Sequence, residues 1–165
     1  CVLNEALLRM GVPTRMCGYT TGHNLAAAIY ELSTPKTTRL EFVKRRQFCA
    51  DRVMALGGTP TLAAMQHELD LLTKRDESQR FLFVITDGDD GNPPSEHLAV
   101  IASAKARGVT TILLAIGGST SMWNRYKAHL KDVAIVLPVA VEQMGPTMAR
   151  ALVKELLRAR MMSRR

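Results

Sequence analysis

Three short apolar runs, spaced by helix-length segments, constrain this chain more than any other feature. FLFVIT (81–86), VTTILLAI (109–116) and VAIVLPV (133–139) are each almost continuously hydrophobic. A strand with one face in water alternates apolar and polar residues, whereas continuous runs belong to parallel strands covered on both faces. Residues 95–107, closed by Gly108, read as a helix, and 122–130 as a shorter one. Strands alternating with helices at this spacing predict an α/β fold, with a doubly wound, mostly parallel sheet layered between helices.

The rest of the chain fits less tightly. Apolar residues at helical spacing run over 2–10, and Gly11 is a natural stop. Residues 12–20 alternate like a strand. The segment 22–40 is ambiguous: HNLAAAIYEL (23–32) is compatible with a short helix, while STPKTT (33–38) reads as loop. Residues 41–56 return to a helical pattern ended by Gly57 and Gly58. Thr59 then suits an N-cap and Pro60 a first helical position, opening a helix through about residue 74. A closing helix is expected over about 142–162.

At 165 residues the length fits a single domain. Cys1 already lies in a periodic apolar segment, so the chain reads as a domain truncated at its N-terminus. No stretch approaches 18 apolar residues, which argues against a membrane span. The three cysteines show no C-x-x-C spacing, and reduced thiols in a cytoplasmic protein are expected. The net charge is +7, much of it around Arg45 and in the tail from Arg150 to Arg165. A solvated helix face is the first explanation of that tail, and a docking surface for an acidic partner the second. Nucleic acid ranks last, because no aromatic residues are interleaved for stacking on bases.

Ligands of such sheets bind beyond the carboxyl ends of the strands. Asp87, at the end of the run 81–86, and residues 117–121 lie there. A calcium loop starting at Asp87 fails, since its fifth, sixth and twelfth positions are Gly91, Asn92 and Leu98. No phosphate-binding P-loop, dinucleotide glycine fingerprint or nucleophile elbow is present. His23, His67, His97 and His129 are scattered without metal-like or triad-like spacing and are expected to be exposed polar residues. Thr59 and Asp87 remain, a hydroxyl and a carboxylate suited to a hard divalent cation that keeps several waters. The competing reading is that Thr59 only caps its helix and 87–91 only makes a turn.

LGGTPT (56–61), a helix, and then FLFVITDG (81–88) resemble the von Willebrand factor A (VWA) domain family. The resemblance implies a Rossmann-like α/β fold with a metal-ion-dependent adhesion site. Matched motif to motif, Thr59 is that site's loop threonine and Asp87 its strand-end aspartate. Thr61 is not the matching ligand, and Asp89 and Asp90 have no fixed counterpart. The family's D-x-S-x-S motif is absent from this chain, and with it the N-terminal central strand and three of the five site residues. The implied cofactor is Mg²⁺ or another divalent cation, weakly held without that segment.

Within the family, GVPTRMCGYTT (11–21) and LLAIGGSTSMWNRYKAHLKDVAIV (113–136) look most like the C-terminal domain of CobT-like subunits of aerobic cobaltochelatase. That resemblance implies a non-catalytic adaptor, not an enzyme by itself, acting in cobalt insertion during cobalamin biosynthesis. Its implied partners are a MoxR-type AAA+ ATPase ring and a large chelatase subunit, with an acidic residue of a partner completing the metal site. The alternatives are a VWA partner of a different MoxR-type ATPase, such as those that activate nitric oxide reductase, an Mg²⁺-dependent hydrolase using Asp87, Asp89 and Asp90, and a structural or extracellular adhesion domain.

Overall fold

The computed structural model describes residues 7, 12–21, 27–52, 60–87, 92–117, 119–131 and 133–162. The expected helix over 2–10 lies almost wholly outside them. The chain divides into two compact units, Cys1–Ala64 and Met65–Arg165.

In the first unit, β1 (Met16–Thr21) pairs antiparallel with β2 (Ala27–Ser33), aligning Cys17 with Glu31 and Tyr19 with Ile29. The helical option is therefore corrected over 27–32, and 23–26 lie outside the described residues. Alanine favours helix locally, but pairing with β1 outweighs so weak a propensity. A Thr34–Thr37 hydrogen-bonded turn (hydroxyl oxygens 3.0 Å apart) leads into α1 (Arg39–Arg52). Thr38 and Glu41 form a capping box: the Thr38 amide donates to Glu41 Oε2 (2.8 Å) and the Glu41 amide to Thr38 Oγ1 (3.3 Å). The Thr38 amide, and after it the Thr38 hydroxyl, which also donates to Glu41 Oε2 (2.8 Å), hold the Glu41 carboxyl below its ordinary range. α1 packs on β2, where Glu31 takes a guanidinium on each oxygen, from Arg15 and from Arg45 (2.7 Å).

α2 (Thr61–Leu72) spans the division between the units. The Pro60 carbonyl accepts its first bond, from the Ala64 amide at 3.1 Å.

The second unit carries the parallel sheet, in the order β3 (Arg80–Thr86), β4 (Val109–Ile116), β5 (Ala134–Val139). α3 (Pro94–Ala106) joins β3 to β4, α4 (Thr120–Leu130) joins β4 to β5, and α5 (Met144–Met162) follows a short 3₁₀ turn. This is a mixed α/β, Rossmann-like arrangement, as the alternation of runs predicts. Leu113 and Ala115 of β4 face Val84 and Val136 of the neighbouring strands, with Ile101, Trp123, Tyr126 and Leu130 of α3 and α4 closing that side. On the other face Ile112 and Leu114 are fully buried too, so β4 is covered on both sides. β3 departs from that expectation. Its Val84 is buried, but Ile85 is 39% exposed and Phe81 and Phe83 are half-buried. Among the described residues β3 has one neighbour strand, and a strand at a sheet's edge is screened less than a central one.

The amino ends of the strands are tied down by an arginine clamp. Arg80 donates through Nη1 to the Thr73 carbonyl (3.3 Å) and through Nη2 to the Arg107 carbonyl (2.7 Å), just past the ends of α2 and α3. Those carbonyls have no intrahelical donors, and a cation complements the negative helix ends. α3 stops because Gly108 adopts φ 74°, a left-handed turn that a β-carbon disfavours.

Candidate functional site

The carboxyl edge of the parallel sheet is where the sequence places its site. The register sets Thr86 opposite Ala115, so Asp87 leaves β3 at the level where β4 is ending. Thr86 is buried and Asp87 is exposed, so the chain passes from core to solvent across one peptide bond.

Beneath this rim lies a layer of buried aromatic rings. His97 and Tyr126 meet edge to face, with ring centroids 5.5 Å apart and planes at 66°. The Trp123 ring centroid also lies 5.5 Å from that of Tyr126, with the planes tilted by 54°. The Trp123 indole N–H donates to the Gly117 carbonyl, and Gly117 takes φ 66° to turn the chain out of β4. Ser119 then caps α4, its hydroxyl accepting from the Met122 amide (3.2 Å) and lying 2.9 Å from the Ser121 hydroxyl. The carboxyl edge thus has an exposed carboxylate past the end of β3 and exposed hydroxyls at the start of α4, with Trp123 and Tyr126 buried on the same helix.

His97 corrects the expectation that the histidines are exposed, since only 2% of its surface is accessible. It shares the inward face of α3 with Ile101 and Ala104, at i, i+4 and i+7. That spacing is legible in the sequence and is the signal that identifies its burial. Nδ1 lies 3.4 Å from the Pro93 carbonyl, one turn back. His67 and His129 are exposed, and His23 lies outside the described residues.

Of the site residues matched by sequence, Asp87 stands on this rim, while Thr59, Asp89 and Asp90 lie outside the described residues. Thr61 is buried, its hydroxyl 3.5 Å from that of Tyr19, so it has no free approach to a solvent-borne ligand. No group of three or more His, Cys, Asp or Glu side chains able to hold a metal occurs among the described residues. Asp87's carboxylate has the oxygen chemistry a hard cation takes, but the described residues do not complete a coordination set. Among the described residues Cys17 and Cys49 form no disulfide. No described helix is long and apolar enough to cross a membrane.

No protein-family model matches the chain, and no curated protein matches it in sequence. Among solved structures it is similar to the crystal structure of conserved hypothetical protein BatB from Bacteroides thetaiotaomicron. The TM-score is 0.62 at 12% identity, over 93% of this chain and 84% of that one. At this identity the likeness shows the fold alone. The parallel α/β sheet is the arrangement expected of a VWA-like fold.

Proposed function

We propose that the chain is a non-catalytic protein-interaction module with a VWA-like fold, whose partner is engaged at the carboxyl edge of the parallel sheet. The observation that carries this reading is the exposed carboxylate of Asp87 just past the end of β3, where the parallel sheet reaches solvent. A ligand group that follows directly on a strand paired in the sheet favours recognition, because less ordering is left for the moment of binding. Bound there, a divalent cation such as Mg²⁺ would supply an open coordination position for an incoming carboxylate. Asp87 enters as an outer-sphere residue of the metal site by placement and sequence match, and Thr59 enters the site by the sequence match alone.

The finer reading follows the sequence resemblance. The partner is a MoxR-type AAA+ ATPase ring offering an Asp or Glu, and the chain belongs to a CobT-like accessory subunit that works with a large chelatase subunit in cobalt insertion, in the cytoplasm. Binding of the chain to its cognate ATPase, measured by calorimetry in millimolar Mg²⁺ and again in EDTA, tests it. Loss of a metal-bridged carboxylate contact should weaken binding at least ~10-fold, or ~1.4 kcal/mol, in EDTA and in Asp87→Ala. Unchanged affinity in either would refute the metal-dependent reading.

A further inference from the structure

α5 packs against β4 and buries Leu152, but other apolar residues of the helix remain in solvent. Val153 is 55% exposed, Leu156 37%, Leu157 56% and Met161 67%. Their spacing of i, i+3, i+4 and i+8 places them on one face of the helix. At 1.5 Å per residue the stripe is about 12 Å long.

Beside it runs a cationic row with a spacing of four: Arg150, Lys154 and Arg158, all exposed. The Arg150 Nε donates to the Pro146 carbonyl (3.3 Å), and Arg158 lies 3.9 Å from Glu155 while 67% of its side chain stays accessible. Glu155 is the one acidic residue in the helix, and its side chain is 13% exposed. The solvent side of α5 therefore joins aliphatic surface to positive charge.

From this pairing we infer that α5 is a docking surface for a partner protein presenting an acidic amphipathic helix, its apolar side on the stripe and its carboxylates on the cationic row. Helices laid into such surfaces anchor through side chains at i, i+3, i+4 and i+7. Charge complementarity selects this occupant. A second copy would set like-charged rows together on a chain of net charge +7. A bilayer interface favours Trp, Tyr or Phe anchors, and α5 has none. A nucleic-acid backbone would leave the aliphatic stripe uncovered.

This surface is independent of the proposed metal site, so binding should be the same in EDTA and in Asp87→Ala. The probe is a synthetic, fluorescein-labelled acidic helix of roughly 20 residues, with Leu at helical anchor spacing and Glu on its flanks. Its scrambled isomer is the control. In anisotropy titrations with the 165-residue chain, the helix should bind at least ~10-fold tighter than its scramble and weaken as salt rises. Leu157→Asp and Lys154→Glu should each weaken it at least ~10-fold with unchanged circular dichroism and melting, because both positions are exposed. Equal binding of the two peptides, or wild-type affinity in both variants, would overturn the inference. So would tighter binding to equimolar phosphatidylglycerol–phosphatidylcholine vesicles, or self-association abolished by Leu157→Asp.

Discussion

Replacing Trp123 with Phe separates the two tasks of that side chain and tests how the rim is supported. The residue is 4% exposed and packs in the cluster of Ile101, Leu113, Tyr126 and Leu130. Its N–H holds the Gly117 carbonyl. Phe keeps the ring in the cluster but loses the donor and part of the volume. The net value of a neutral hydrogen bond is about 1 kcal/mol. Gly117 is exposed, so water can re-solvate its carbonyl and keep that loss small. Full truncation of a buried Trp costs about 3–5 kcal/mol, and a Phe that retains most of the contact surface should lose roughly 1 kcal/mol of it. The sum is about 2 kcal/mol. Urea unfolding followed by far-UV circular dichroism measures it, since Trp123 is the chain's only tryptophan and the variant has no indole fluorescence. With a denaturant slope of about 1–3 kcal/mol per molar, the midpoint should fall by about 1 M at unchanged slope. The Met122 amide, bonded to Ser119 Oγ at 3.2 Å, should also exchange faster as the turn loosens. A loss below about 0.5 kcal/mol, the range of ordinary surface changes, with exchange unaltered, would refute the claim that the indole holds the rim.

Arg80→Met should remove the donors from the Thr73 and Arg107 carbonyls and destabilise the second unit by about 2 kcal/mol, given two charge-assisted bonds at a half-buried site; a melting temperature equal to wild type would contradict the clamp. Glu31 supplies a pH dependence. Burial pushes its carboxyl up, but the Arg45 and Arg15 guanidiniums outweigh that and hold it below its ordinary value of 4.5. A depressed folded-state value means stability that is present above the unfolded value and lost as pH falls through the folded one. Glu31→Gln should therefore be less stable than wild type at neutral pH, by about 0.5–1 kcal/mol for so exposed an ion pair, and the two should converge in acid below 4.5. A pH-independent difference in urea midpoints would show that the side chain acts through shape rather than charge.

Much of the second unit is legible locally. β4 coincides with its apolar run, and Gly108 ends α3 because its left-handed φ is cheap only without a β-carbon. Asp87 follows from the same reading, since a hydrophobic run that breaks off at a carboxylate marks where a buried strand reaches solvent. β2 was not legible in this way, because an alanine-rich stretch suits either state until a distant partner supplies its hydrogen bonds. The indole hook onto Gly117 likewise joins residues whose meeting depends on how β4 and α4 are packed together.

The sequence by itself determined the alternation of elements, the polarity of the sheet's edge and the periodic face of each helix, because these follow from backbone period and side-chain hydrophobicity. Tertiary structure decided which periodic faces are spent in the core. His97 is buried against Tyr126, while Leu157 and Met161, equally well placed by period and more apolar, remain in water. Periodicity tells which residues share a face, and only packing against other elements tells whether that face is covered.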